Sequence, residues 1–81
     1  MRVNINAQNV KTQTILNEIE QQTDYLFVYN SKEIDLDRKT SVAVENETVA
    51  TVLSEIFNNT NVVYAMEGSN IFLMKKEEGG K

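Results

Sequence analysis

The sequence contains neither cysteine nor histidine. Without cysteine, the chain can form no disulfide framework and no thiolate metal site. Without histidine, it lacks the usual proton shuttle near neutral pH and the commonest zinc ligand. Any chemistry would depend on carboxylates, lysine, tyrosine and hydroxyl groups, so we expect neither an enzyme nor a bound cofactor.

Long apolar runs and basic clusters are also missing. No segment approaches the roughly 18 apolar residues of a membrane span, and none resembles a secretion leader, so we expect no direct membrane insertion by this domain. Only 8 Lys and Arg stand against 12 Asp and Glu, giving a net charge of −4. Nucleic-acid binding requires a basic stripe along the phosphates, so we expect no nucleic-acid partner.

An internal repeat organises what is present in the 81 residues. Residues 14–19 (TILNEI) align with residues 51–56 (TVLSEI) at an offset of 51 − 14 = 37 residues. The same offset relates five further pairs: Ile5 and Val42, Ala7 and Val44, Asn9 and Asn46, Thr23 and Thr60, and Phe27 and Tyr64. A duplicated unit that cannot bury its own apolar side chains is expected to pack against its copy in one core.

Each half of the repeat predicts one helix. In the second half, apolar residues recur at the spacing of one buried helical stripe, at Val49, Val52, Leu53, Ile56 and Phe57. Thr48 is the expected N-cap of this helix, whereas Lys11 occupies the equivalent position of the first helix and cannot cap it. We expect the helices to stop at Thr23-Asp24 and Thr60-Asn61, with Asp24 and Asn61 in the left-handed conformation.

Strands are expected on both sides of each helix, over residues 3–7, 25–29, 41–44 and 62–66. A fifth strand over residues 71–74 follows a hairpin turn of composition EGSN. The predicted fold class is therefore α+β, with duplicated βαβ units in the order βαβ-βαββ and two helices packed against small sheets. Residues 1–75 are predicted to form the domain, and residues 76–81, which contain charged residues and glycine, a linker to a further domain downstream.

The ordered motifs over residues 3–75 resemble the secretin and TonB N-terminus short domain. They are VNIN at residues 3–6, ILNEI at 15–19, QTDY at 22–25, LFVYN at 26–30, DLDRK at 35–39, VLSEIF at 52–57, TNV at 60–62 and the closing hairpin from residue 68 to residue 71. One departure is that Asp24 and Asn61 stand where the family usually has glycine.

The resemblance implies a periplasmic domain placed ahead of the plug and barrel of a TonB-dependent outer-membrane receptor, of the glycan-importing SusC-like class. Its implied partners are the receptor's own plug and barrel and the periplasmic part of an anti-sigma regulator, through which import is coupled to transcription. Two related modules remain alternatives, namely the docking domain of a secretin and the periplasmic domain of an anti-sigma regulator.

Alternation in the strands that follow the helices indicates a candidate partner site. If Tyr25, Phe27 and Tyr29 point inward, as Val62, Tyr64 and Met66 would by the repeat, the intervening side chains point outward. The candidate partner-binding residues are therefore Leu26, Val28, Val63 and Ala65. The first two could border an open strand edge that accepts a partner strand. Alternatively, they are ordinary surface residues or are covered by a downstream domain.

Three other patterns suggest sites that we consider weaker. Glu33, Asp35 and Asp37 alternate like calcium ligands but lack the glycine and terminal glutamate of an EF-hand, so a solvated loop is expected. Glu18 and Glu55 are equivalent carboxylates, but a chain this small offers little room for a glycosidase cleft, so we expect exposed helix carboxylates. A small glycan-binding module would need exposed rings at Tyr25, Tyr29 and Tyr64, which are predicted to lie against the core.

Overall fold

The structure, a computed structural model, describes residues 2–58 and 60–76. Its elements are β1 (Arg2–Lys11), α1 (Thr12–Gln22), β2 (Leu26–Val28), β3 (Lys39–Thr48), α2 (Val49–Ile56), β4 (Val62–Glu67) and β5 (Asn70–Lys75). This order confirms the predicted α+β class and the βαβ-βαββ arrangement. Strands β1 and β3 are longer than predicted, and β2 is shorter.

The strands form two separate sheets. Strand β1 pairs antiparallel with β3, its equivalent in the other half. In the second sheet, β5 lies between β2, to which it is parallel, and β4, to which it is antiparallel. The two strands of each βαβ unit therefore lie in different sheets, and the duplicated halves are joined directly by the β1 and β3 pair.

One core holds both halves together. Helix α1 packs against β1 and β2, and α2 packs against β3. The equivalent residues Leu16 and Leu53 are both fully buried, as the repeat predicts. Both sheets contribute to the same core, for example through Ile5 of β1 and Leu73 of β5, so the helices lie between the sheets. Neither helix in the described part of the chain has the length and hydropathy needed to cross a membrane.

The first sheet carries a bulge at the same point of each repeat. Asn9 and Asn46 both have a positive φ, 54° and 57°, and each lies where the pairing register of β1 and β3 shifts. Asparagine tolerates this left-handed conformation better than most residues, because its short polar side chain can hydrogen-bond locally. The two equivalent asparagines therefore impose the same local bend on both long strands.

The predicted helix ends are partly wrong. Helix α1 stops at Gln22 as expected, but α2 ends at Ile56, and Phe57 and Asn58 form a turn instead of continuing the helix. Phe57 leaves the helical region with φ −105° and ψ 12°. Asp24 and Asn61 are not left-handed, because among the described residues only Asn9, Asn46 and Gly68 have a positive φ.

Two equivalent threonines replace the expected left-handed closures. The Thr23 hydroxyl donates to the Ile19 carbonyl oxygen at 2.8 Å and accepts from the Tyr25 N–H at 3.1 Å. The Thr60 hydroxyl donates to the Phe57 carbonyl oxygen at 2.7 Å and accepts from the Val62 N–H at 3.2 Å. Each threonine therefore connects the end of a helical segment to the start of the next strand, and no described residue of either connection has a positive φ.

The helix beginnings differ as predicted. The Thr48 hydroxyl accepts from the Thr51 N–H at 3.2 Å, whereas Lys11 provides no side-chain cap. The first N–H groups of α1 instead donate to backbone carbonyl oxygens. The Thr12 N–H donates to the Arg38 oxygen at 2.9 Å and the Gln13 N–H to the Leu36 oxygen at 3.0 Å. The loop before β3 therefore satisfies the start of α1.

The predicted linker begins where β5 ends. Lys76 directly follows β5, and its N–H donates to the carbonyl oxygen of Asn61. Residues 77–81 of the predicted linker lie outside the described residues.

Candidate docking surface

The second sheet presents an apolar outer surface. Its inward side chains on β5 are Ile71 and Leu73, both buried in the core. The register places Leu26 beside Asn70 and Val28 beside Phe72 on the opposite side. The same register pairs Val63 with Met74 and Ala65 with Phe72. The side chains that share this outer side are called the apolar sheet face: Leu26, Val28, Val63, Ala65, Phe72 and Met74.

Four members of the apolar sheet face are exposed to an extent unusual for such residues. Leu26 is 59% exposed, Val28 44%, Met74 41% and Val63 39%. Ala65 and Phe72 are half-buried. The structure thus brings all four residues predicted from alternation onto one surface, together with two others, and a contiguous exposed apolar surface typically marks an interaction site. Their role in binding a partner stays a prediction.

Sequence reasoning missed Phe72 and Met74. The signal was present, because residues 71–74 are four consecutive apolar residues with no polar alternation. A strand places successive side chains on opposite faces, so such a run is apolar on both sides. Phe72 and Met74 occupy the centre of the surface, since β5 lies between β2 and β4.

The outer surface of the first sheet is polar by comparison. The exposed residues at alternating positions of β1 and β3 are Arg2, Asn4, Asn6, Ser41, Ala43 and Glu45. Asn4 is held in a polar network: its N–H donates to Gln22 Oε1 at 2.9 Å and its Oδ1 accepts from the Asn46 N–H at 2.7 Å. The outer surface of the first sheet is therefore mostly polar, whereas that of the second sheet exposes large apolar side chains.

The aromatic residues behind the apolar sheet face are tied to the core. Tyr25, Tyr29 and Tyr64 are half-buried and pack against the core cluster, as predicted. The Tyr29 hydroxyl donates to Gln13 Oε1 at 2.9 Å, which holds that ring against α1. These rings do not form the exposed platform that sugar stacking requires.

Met66 lies on the inner side of β4 with Val62 and Tyr64, as predicted, but its side chain is not buried in the core. It is 38% exposed, although it lies on the same side of β4 as the half-buried Val62 and Tyr64. The reason is its position, since β4 is an edge strand and Met66 lies near its end, beside the hairpin.

The charged candidates are solvated. Glu33, Asp35 and Asp37 alternate because the residues between them, Ile34 and Leu36, are buried in the core. Within residues 2–58 and 60–76, no group of three or more acidic side chains is arranged to hold a metal ion. Glu18 and Glu55 are exposed on different helices, as expected of ordinary helix carboxylates.

Comparison with known proteins identifies a family. A family model described as the secretin and TonB N terminus short domain matches residues 25–76, which is more than half of the chain. No curated protein matches the sequence.

Two solved structures share the fold. A protein assigned as an anti-sigma factor from Parabacteroides distasonis ATCC 8503 superposes with a TM-score of 0.77 at 19% identity over 91% of this chain. The ferripyoverdine receptor of the outer membrane of Pseudomonas aeruginosa superposes with a TM-score of 0.70 at 17% identity over 93% of this chain. This chain corresponds to 34% of the first protein and 10% of the second.

Proposed function

This chain belongs to the secretin and TonB N terminus short domain family, and from that membership we propose that it is a non-catalytic signalling and protein-docking domain on the periplasmic side of the outer membrane. The observation that carries the proposal is the apolar sheet face. It exposes apolar side chains on the outer surface of the second sheet, whereas the outer surface of the first sheet is polar. Docking requires no catalytic group, which agrees with the solvated positions of the carboxylates.

The more detailed proposal is an arm of a TonB-dependent outer-membrane nutrient receptor of the SusC-like class, with a glycan as the imported nutrient. Its partners are the periplasmic part of an anti-sigma regulator and the receptor's own plug and barrel, so that import is coupled to transcription. The receptor assignment is supported by a shared fold with part of the ferripyoverdine receptor. The glycan and the regulator are implied by the resemblance of the sequence motifs.

A second candidate is the periplasmic domain of an anti-sigma regulator itself. The specific observation in its favour is the higher TM-score with the Parabacteroides protein, 0.77 against 0.70. The two candidates differ in the region that succeeds the domain along the chain: a plug and barrel in a receptor, and no such barrel in a regulator.

We test docking with Leu26→Asp, which places a charge on the apolar sheet face. Burying a leucine at an interface contributes roughly 1.5–3 kcal/mol, so the substitution is expected to weaken binding to the periplasmic part of the regulator at least about tenfold. Because Leu26 is 59% exposed, the stability of the domain should change by less than about 0.5 kcal/mol. Isothermal titration calorimetry measures the affinity.

The matched control is Ala43→Asp, which introduces the same charge on the polar outer surface of the first sheet. Affinity equal to that of the unmodified domain is expected for this variant. Unchanged affinity of the Leu26→Asp variant, or an equal loss in both variants, contradicts the proposed docking surface.

A further inference from the structure

The two edge strands of the second sheet, β2 and β4, occupy equivalent positions of the repeat but differ in how a helix side chain covers them. The Leu26 N–H donates to the Ser69 carbonyl oxygen at 2.9 Å, so the next N–H, that of Phe27, faces away from β5. This outward donor is bonded to Glu20 Oε2 at 3.0 Å. The β2 edge is therefore closed by a side chain from α1.

In the described part of the chain, the equivalent edge of β4 is not closed by a helix side chain, and its first outward donor, the Val62 N–H, is bonded to the Thr60 hydroxyl at 3.2 Å. The repeat places Phe57 at the position of Glu20 and Tyr64 at the position of Phe27. A phenylalanine side chain has no atom that could accept a hydrogen bond from the strand. In an antiparallel pair the hydrogen-bonded positions recur at every second residue, and the bond from the Lys76 N–H to the Asn61 carbonyl sets their phase. Backbone groups of Val62, Tyr64 and Met66 consequently face the open edge.

The sequence of β4 does not protect this edge. Natural edge strands are usually protected by lysine, proline, bulges or very short length. Strand β4 is six residues long, VVYAME, contains neither lysine nor proline, and pairs with β5 without a register shift. By contrast, β1 and β3 both carry bulges.

The same edge carries an apolar groove at one end and an apolar projection at the other. The groove has a volume of about 360 Å³ and lies between α2 and β4. Its lining contains no charged side chain and consists of Leu53, Ser54, Phe57, Val62, Val63 and Tyr64. The projection is Met66, four residues beyond Val62 on the same side of the strand and 38% exposed.

We propose that two copies of this chain associate through β4, antiparallel about a twofold axis at Tyr64, to form one continuous six-stranded sheet. This register places Tyr64 opposite its own copy and Met66 opposite Val62 of the other copy. To complete the ladder, the Val62 N–H exchanges its bond to the Thr60 hydroxyl for one to the Met66 carbonyl oxygen of the other copy. Each Met66 then lies over the groove of the other copy, where a flexible methionine can fill an irregular apolar space. A twofold interface requires this self-complementarity, because the same surface serves both partners.

The register also matches the residues on the outer side of β4. Val63 lies opposite Ala65 of the other copy, which extends the apolar sheet face across the dimer. Glu67 lies opposite Asn61, whose backbone is bonded to Lys76, the residue directly after β5, so opposite charges lie near each other at the two ends. Association leaves the apolar sheet face open, so the dimer is independent of the docking proposed above.

The proposed dimer interface is small, so we expect a low affinity between the two copies. Stable interfaces bury roughly 800 Å² per partner, which is more than one six-residue strand and its groove provide. We therefore expect a weak dimer that forms between micromolar and millimolar concentration. Sedimentation velocity at physiological ionic strength should show the mass rising towards twice that of the monomer with concentration.

Met66→Lys tests the contact, since it places a charge over the uncharged groove of the other copy. Dimer affinity is expected to fall at least about tenfold, while the matched variant Leu26→Lys, on the closed edge of the same sheet, dimerises like the unmodified chain. Circular dichroism confirms that both variants are folded. An unmodified chain that stays monomeric at millimolar concentration overturns the proposal, and so does equal dimerisation of the two variants.

A disulfide tests the register, because the chain has no cysteine of its own. In the double variant Val62→Cys/Met66→Cys, the two positions within one copy are about 13 Å apart along the strand, too far for a disulfide. Across the dimer they are opposite each other, so mild oxidation should give a covalent dimer. Each single variant should give little covalent dimer, and equal yields from the single and double variants contradict the register.

Discussion

Thr48 and Lys11 occupy equivalent positions of the repeat, yet only one of them caps a helix. The Thr48 hydroxyl accepts from the Thr51 N–H at 3.2 Å and also contacts the Thr51 hydroxyl at 2.9 Å. The Lys11 side chain forms a solvent-exposed ion pair with Asp37 at 3.8 Å, and pairs of this kind contribute little to stability. The difference between the two residues could be predicted from the sequence, because threonine is a good N-cap and lysine is not.

This comparison gives a prediction at the residue scale. Thr48→Ala should lower the free energy of unfolding by about 1 kcal/mol, because it leaves an N–H donor of α2 without its side-chain acceptor. Lys11→Ala, the equivalent change in the first half, should lower it by less than about 0.5 kcal/mol, because the backbone of the loop before β3 already satisfies the start of α1. Urea unfolding measures both values, and equal losses contradict the assignment of the caps.

The helix ends were less predictable than the beginnings. Asp24 and Asn61 can adopt the left-handed conformation, but the structure uses the hydroxyls of Thr23 and Thr60 instead. Both solutions satisfy the same backbone groups, so composition alone does not choose between them. The repeat does align Thr23 with Thr60. Two threonines at equivalent helix ends indicate that their hydroxyls close both helices.

At the scale of elements, the edges of the second sheet depend on a long-range contact. Glu20 of α1 accepts the bond from the Phe27 N–H of β2, and periodicity along the chain gives no information about such a contact. The sequence predicted five strands and their order, because each has an apolar pattern of its own. It did not predict that β5 lies between β2 and β4, since pairing depends on which edges the packed helices leave free.

Glu20→Ala should therefore open the β2 edge. The Phe27 amide loses its acceptor and should exchange with deuterium faster, whereas the Leu26 amide, which is bonded to Ser69, should keep its rate. Loss of one such bond is expected to lower stability by roughly 1 kcal/mol. Hydrogen exchange followed by NMR resolves the two amides. Equal acceleration of both, after correction for the change in global stability, contradicts the local role of Glu20.

At the scale of the whole molecule, the duplication explains the core but not the surface. Equivalent residues such as Leu16 and Leu53 occupy equivalent buried places, so the core could be predicted from the repeat. Strand β5 has no counterpart in the first half, and its outward residues Phe72 and Met74 complete the apolar sheet face. Four of the six residues of this surface, those on β2 and β4, could therefore be predicted, and the two on β5 were missed.

The two outer surfaces divide the molecule into a polar side and an apolar side. The polar side, around Asn4 and Asn6, is covered by hydrogen-bonding groups and can face water. The apolar side contains the exposed Leu26 and Met74, and its burial by a partner would be favourable by roughly 25 cal/mol per Å² of apolar area. We propose that a periplasmic partner docks on this apolar side.

The most direct measurement is an NMR titration of the isotope-labelled domain with the periplasmic part of the anti-sigma regulator. We expect the largest chemical-shift changes at Leu26, Val28, Phe72 and Met74, and no change at Asn4 and Asn6 on the opposite sheet. Changes concentrated on Asn4 and Asn6, with the apolar sheet face unaffected at saturation, would contradict docking on this face.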